Sequence, residues 1–177
     1  MEVLQESSEL ARALEVHAKV KPRRVLEIGC WDGGTLREWL SATPPPEVVV
    51  AVSLEHRQPE AYPEWTQTGT TLVVGTGDSL SPEMVELIQH HAPYDWAFID
   101  GEHSYPYVSH DVAVVLPLMR KGGVMLLHDV TPGVEPDTHG PSQVLNELIE
   151  KGYRTEVYDS ERQRWSAGIG VVYVDGL

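Results

Sequence analysis

Cysteine is almost absent: Cys30 stands alone in 177 residues. One thiol cannot build an internal disulfide framework, and its scarcity agrees with a reducing compartment. Positive charge is short too, since 13 Lys and Arg face 27 Asp and Glu for a formal net charge of -14. Tight binding to a phosphate backbone needs clustered cations to release counterions, so no nucleic-acid partner is expected. No apolar run approaches the roughly 20 residues of a membrane span, and the acidic start Met1-Glu2-Val3-Leu4-Gln5-Glu6 lacks the basic-then-apolar order of a signal peptide. No repeat and no low-complexity stretch occurs beyond Pro44-Pro45-Pro46. These absences leave a soluble, cytoplasmic protein without a membrane role, with residues 1–177 forming a single domain. Its partners are expected to be a small-molecule acceptor or another protein, with a homo-oligomer left open.

What is present is organised around Asp95 to Asp111. Trp96 to Ile99 reads as a strand buried on both faces, and it stops at Asp100-Gly101. Ser104 and Pro106 then open a helix on which Val108, Val112, Val115 and Met119 recur at helical spacing. In an open parallel sheet ligands sit at the carboxyl ends of the strands, so Asp100, Glu102 and His103 reach a candidate active-site rim.

Along the chain, residues 3–20 read as an amphipathic helix with Leu10, Leu14 and Ala18 on one face. Arg24 to Ile28 is the first strand. It breaks at Gly29-Cys30-Trp31-Asp32-Gly33-Gly34-Thr35 before a helix carrying Leu36, Trp39 and Leu40. Val48 to Val52 is the second strand, and residues 56–69 read as irregular, a partial lid at most. Thr71 to Val74 is the third, ended by Gly75-Thr76-Gly77-Asp78-Ser79 and followed by the helix start Ser81-Pro82-Glu83. Lys121-Gly122-Gly123 reads as a helix stop, Val124 to Leu127 as a strand ending at His128-Asp129, and Thr131 to Gly140 as a loop carrying His139. A helix over Gly140 to Lys151 turns Val144, Leu145, Leu148 and Ile149 inward. Thr155 to Tyr158 and Gly170 to Val174, joined by the charged loop Asp159 to Arg164 with no helix between, are expected to be antiparallel neighbours.

The glycine turn decides among cofactors. A dinucleotide fingerprint requires Gly-x-Gly-x-x-Gly, and Trp31 occupies the place of the second glycine. What stands instead, Glu27-x-Gly29-x-x-x-Gly33-Gly34, resembles motif I of class I S-adenosylmethionine-dependent methyltransferases; a plain strand-to-helix connection is the alternative. The block Gly77-Asp78-Ser79, Ile99-Asp100-Gly101-Glu102-His103-Ser104-Tyr105, Asp111, Leu116-Pro117-Leu118, Gly122-Gly123 and His128-Asp129 resembles a narrower family. That family groups cephalosporin-hydroxylase-like proteins with macrocin-type sugar O-methyltransferases, and Gly140-Pro141-Ser142 extends the likeness. The resemblance implies an α/β, Rossmann-like fold: a seven-stranded, mostly parallel sheet with one antiparallel strand and helices on both faces. It also implies S-adenosylmethionine as cofactor, with Glu27, Gly29, Gly33, Ser53, Glu55, Asp78, Ser79 and Asp100 as cofactor-binding residues. Ser53 takes the position of the acidic ribose ligand, and Glu55 follows on the same strand face, so the ribose contact stays open between them. For Asp78 the alternative is a loop cap.

Asp100 and Asp129 close adjacent buried strands, and converging carboxylates repel unless a cation or proton intervenes. A divalent metal answers that need. The resembling methyltransferases place Mg²⁺ here, with a third carboxylate where this chain has His128, so the metal residues are Asp100, His128 and Asp129 and the ion Mg²⁺ or Mn²⁺. For His128 a place outside the ligand set is the alternative, and for Asp129 a loop-capping role. His103 stands where those enzymes carry a general base, which fits an imidazole taking a proton from a hydroxyl; capping the helix or binding metal are its alternatives. Asp111 reads as a supporting partner rather than a ligand. The expected function is metal-assisted O-methylation of a sugar or polyol-like hydroxyl, against a non-catalytic S-adenosylmethionine-binding module or a hydroxylase.

Overall fold

The computed structural model describes residues 7–131, 139–159 and 168–175. The strands are β1 (Arg24–Ile28), β2 (Val48–Ser53), β3 (Thr71–Thr76), β4 (Tyr94–Ile99), β5 (Met119–His128), β6 (Arg154–Tyr158) and β7 (Ile169–Val174). They form one sheet in the order β3-β2-β1-β4-β5-β7-β6. β1 to β5 pair in parallel, while β7 runs antiparallel to both β5 and β6. The helices are α1 (Ser7–Val20), α2 (Gly34–Leu40), α3 (Tyr62–Trp65), α4 (Pro82–His90), α5 (Tyr105–Val115) and α6 (His139–Glu150).

The central strands are apolar throughout because helices cover both faces, as parallel sheets require. One face packs aliphatic residues of β1, β4 and β5 such as Leu26, Ile99 and Leu127 against α4, α5 and α6. The other packs Val25, Trp96 and Phe98 against α1 and α2, with Trp39 among them. Strand order reverses between β1 and β4: the chain leaves β1 toward β2 and β3 and returns on its other side. A crevice opens at the carboxyl ends there, where doubly wound sheets bind ligands.

Several local expectations are corrected. α1 buries Leu10, Ala13, Val16 and His17, while Ala18 is exposed, so the covering stripe is rotated from the expected one. Ile149 is likewise 46% exposed. Met119 does not continue α5. Pro117 withholds a backbone donor, the chain tightens into a 3-10 turn at Leu116–Leu118, and Met119 begins β5. Lys121-Gly122-Gly123 lies inside β5 as an irregularity, because the pairing jumps from Tyr94 with Met119 to Trp96 with Val124. His139 and Gly140 begin α6; residues 132–138 of the expected loop, and 160–164 of the charged loop, lie outside the described residues. Among the described residues no helix is long and apolar enough to cross a membrane.

Candidate active site

Three strand ends meet closely at the crevice. Beyond the strands, Gly29 donates its N–H to the Val52 carbonyl and Asp100 donates to that of Ile28, each at 2.8 Å. Gly29 has φ +92°, and a Cβ on it would overlap the Asp100 carbonyl. The glycine is therefore demanded by the approach of β1 to β4, before any ligand is considered. A valine there would disturb the sheet and cannot report cleanly on cofactor binding. Gly33, with φ +84°, faces the other way, where a Cβ would stand 2.8 Å from the Trp65 ring. Among the described residues, neither Gly33 nor any of 56–69 lines the two cavities of the crevice that Gly29 and Asp100 line. That segment is packed rather than lid-like: Tyr62 is buried, and its hydroxyl bonds His56 at 2.9 Å while the other nitrogen of that ring meets the Gly75 carbonyl at 3.0 Å.

A cavity of about 370 Å³ occupies the crevice, lined among others by Gly29, Ser53, Glu55, Asp78, Ser79 and Asp100. Its size lies in the range of small-molecule sites. Trp31 and Leu54, 46% and 69% exposed, give it an apolar wall. The Arg57 guanidinium stacks 3.6 Å over the Trp31 ring, and its backbone N–H donates to the Trp31 carbonyl at 3.0 Å. Glu55 is exposed and 3.8 Å from Arg57. Asp78 accepts from the Leu80 N–H at 3.0 Å, so it caps its loop while also facing the cavity. Behind that loop the buried Asp111 carboxyl engages Ser79, and burial pushes it up to about 6. Asp111 thus reaches from α5 toward the β3 loop.

A smaller cavity of about 190 Å³ adjoins the first and reaches Thr35, Asp100 and His103. Glu27 lines neither. It is fully buried beneath α2, where the Thr35 hydroxyl donates to it at 2.6 Å, and burial raises its carboxyl to about 8.

Beside the smaller cavity the structure brings together Asp100, His103, His128 and Asp129. His103 Nε2 is 3.4 Å from Asp100 Oδ1 and its Nδ1 is 3.0 Å from Asp129 Oδ2. His128 Nδ1 is 3.1 Å from Asp100 Oδ1 and 3.0 Å from Asp129 Oδ1, yet neither approach is aligned as a hydrogen bond. Asp129 holds φ +58°, a left-handed conformation that Asp tolerates better than most residues. Hydrogen bonds to Asp100 and Asp129 raise His103 to about 10 against the opposing effect of burial. His128 is also raised, its burial outweighed by the same two carboxylates. Burial disfavours charge on Asp100 and Asp129, but the imidazoles outweigh it and hold both carboxyls below the usual range. The repulsion expected between the carboxylates is thus offset by the two imidazoles that face them. Removing one carboxylate would leave the imidazoles without part of their counter-charge.

A divalent ion fits this cluster. One ligand atom each from Asp100, His103 and Asp129 lie within 4.8 Å of one another, so the group takes its nitrogen from His103 and not from the expected His128, whose Nδ1 stands near both carboxylates but outside that group. Asp100, His128 and Asp129 stand at or just beyond strand ends and His103 in the loop after β4, places that the sequence pattern shows. Leu54 and Tyr107, which also line the larger cavity, were not legible, because an exposed Leu and a first-turn Tyr carry no chemical signature.

The reversed β7, the strand order and a cavity at the switch point define the class I methyltransferase fold. Residues 26–130 match a family described as a methyltransferase domain, and because this spans more than half of the chain, the protein belongs to that family of S-adenosylmethionine-dependent methyltransferases. No curated protein matches the chain. Among solved structures, TomG of Streptomyces achromogenes, an O-methyltransferase of tomaymycin synthesis solved with S-adenosylmethionine, is 19% identical with a TM-score of 0.74, over 98% of this chain and 82% of that one. An O-methyltransferase from Bacillus cereus, solved with S-adenosylhomocysteine, is 17% identical with a TM-score of 0.76, over 98% of this chain and 84% of that one. MycE of the mycinamycin pathway, solved with Mg and S-adenosylhomocysteine, is 20% identical with a TM-score of 0.64, over 92% of this chain and 47% of that one. At these identities the likeness is one of fold.

Proposed function

We propose that this protein O-methylates a small molecule bearing neighbouring hydroxyls, such as a sugar or polyol, with the help of a divalent cation. Residues 1–177 act as one domain, and the cytoplasm is the expected compartment. The observation that carries the reading is the cluster of two carboxylates and two imidazoles beside the cofactor-sized cavity. TomG and MycE, which act in the synthesis of small natural products, support it by analogy of fold.

The larger cavity suits the nucleoside part of the cofactor. Glu55 or Ser53 accepts from the ribose hydroxyls, Asp78 and Ser79 border the base, and Trp31 and Leu54 exclude water from one side. Gly29 and Asp100 line both cavities, and His103 lines the smaller one, so these residues would hold the reacting end of the cofactor near His103. S-adenosylmethionine supplies a methyl group on a positively charged sulfur, and a divalent ion at Asp100 and Asp129 supplies a Lewis acid for the acceptor's oxygens. His103 takes the hydroxyl proton at Nε2 as the new C–O bond forms and the C–S bond breaks. With both carboxylates free of a cation, their hydrogen bonds raise His103 to about 10, which opposes this step. Cation binding and base function are therefore linked in one cluster.

The test is calorimetric titration with S-adenosylmethionine and S-adenosylhomocysteine, followed by methyl transfer to vicinal diols with and without EDTA. Cofactor binding with EDTA-sensitive transfer to oxygen is the expected result. Transfer indifferent to EDTA would remove the cation from the mechanism, and failure to bind either nucleoside would contradict the whole reading.

A further inference from the structure

One wall of the larger cavity has a conformation that the fold alone does not call for. Trp31 holds φ +45°, a left-handed backbone that is an outlier for a bulky side chain. It stands where a dinucleotide fingerprint carries its second glycine, and glycine would adopt this turn freely. The chain nevertheless keeps the largest of side chains there and leaves it 46% exposed, so little core burial offsets the strain. Arg57 grips the residue at both ends: its backbone N–H donates to the Trp31 carbonyl at 3.0 Å, and its guanidinium stacks 3.6 Å over the ring. Trp31 also lines the smaller cavity that reaches His103, which its apolar neighbour Leu54 does not. The indole therefore stands where the two cavities join.

We propose that Trp31 is a cofactor-binding residue whose indole, fixed before the ligand arrives, covers S-adenosylmethionine at that junction, with Arg57 as the positioning residue that locks the ring. This rests on the reading that the cofactor occupies the two cavities. A ring already held in place loses little rotamer freedom on binding, and its apolar surface keeps water from the part of the cofactor between ribose and sulfur. The guanidinium covers one ring face and leaves the rest of the indole for the ligand. Its positive charge also weakens the attraction of the ring for a second cation, so the sulfonium draws little cation–π stabilisation from it. The contact is apolar shielding, and it serves S-adenosylmethionine and S-adenosylhomocysteine alike.

The experiment titrates the full-length protein, Trp31→Gly, Trp31→Phe and Arg57→Gln with both nucleosides by calorimetry, follows tryptophan emission, and records the thermal midpoint of each ligand-free protein. Native emission should change on binding, because Trp31 is exposed while Trp39 and Trp96 are buried, and the change should be lost in Trp31→Phe. Trp31→Gly should bind both ligands about tenfold more weakly. Its midpoint should stay within ~3 °C of native, since glycine relieves the strained turn. Arg57→Gln keeps the backbone hydrogen bond and should weaken binding roughly threefold at an unchanged midpoint. Native affinity in Trp31→Gly, or an emission change that survives in Trp31→Phe, overturns the inference. A Trp31→Gly protein that melts far below native, or does not fold, overturns it too, because the ring would then serve the fold. Losses confined to S-adenosylmethionine overturn apolar shielding and make the ring a partner of the sulfonium, and native affinity in Arg57→Gln overturns the role of Arg57. A native protein that binds neither nucleoside defeats the cofactor reading itself.

Discussion

Glu27 and Asp100 are buried carboxyls on neighbouring parallel strands, and they are driven in opposite directions. Glu27 lies inside the sheet, opposite Phe98, with a hydroxyl as its hydrogen-bonding neighbour, and burial raises it to about 8. Asp100 lies one residue beyond β4, where two imidazoles meet it, and it is held below the usual range. Burial acts the same way on both. The difference is what waits at the strand end: burial beside a neutral donor raises one acid, whereas two imidazoles lower the other. A short displacement along a strand thus separates an acid that burial raises from one that imidazoles lower.

The largest expected effect breaks the reactive side. Asp100→Asn should destabilise the ion-free protein by about 3–5 kcal/mol, because it leaves charged imidazoles without half of their counter-charge. Urea denaturation after EDTA treatment checks this, and a stabilised variant would restore the picture of two repelling carboxylates. The structural side answers next. An acid raised in the folded state lowers stability as pH climbs from the ordinary carboxylate range to its folded value, here about 8, and the loss is complete above that. Glu27→Gln removes this dependence and keeps an oxygen for Thr35. The variant should therefore gain on the native protein progressively from pH 5 to pH 8, reaching on the order of a few kcal/mol. Thermal melts across that range that run parallel for the two proteins would show Glu27 to be ionised at neutral pH.

The smallest effect concerns a carboxylate that is not buried at all. Glu55→Gln should change stability by no more than ~0.5 kcal/mol, since the Glu55 contact with Arg57 is long and exposed. If Glu55 holds the ribose, cofactor affinity should still fall roughly tenfold, the worth of one hydrogen bond to a charged group. Unchanged affinity would transfer that contact to Ser53.

How much of this could be read from the chain follows the same division. β1 shows both its ends, because a charged Arg24 and the break at Gly29 bracket an apolar run, and the Asp100 and Asp129 sites follow from strands that stop in acids. β7 is legible as the reversed strand because nothing helical separates it from β6. Position along a strand is visible in sequence, but the side from which a partner arrives is not. Hence Glu27 resembles a cofactor residue while its side chain is buried under α2, and Gly33 looks like part of a ligand turn while it makes room for Trp65. Likewise Lys121-Gly122-Gly123 carries the chemistry of a helix stop. Only the pairing of β5 with β4 shows it to be an irregular strand. That both imidazoles would sit between the same two carboxylates also depended on the turn at Asp129, whose left-handed conformation no motif announces.

The central claim is that cation binding frees His103 to accept a proton. ¹⁵N NMR of the histidine side chains, titrated with pH in EDTA-treated protein and again with saturating diamagnetic Zn²⁺, measures it directly. Without the ion, His103 should remain doubly protonated through neutral pH and titrate near 10. With the ion bound, Asp100 and Asp129 lose their hold on the ring, and its titration should fall toward the ordinary imidazole value of ~6.5. A His103 that titrates near that ordinary value in both samples would contradict the account, because the base would then need no cation to free it.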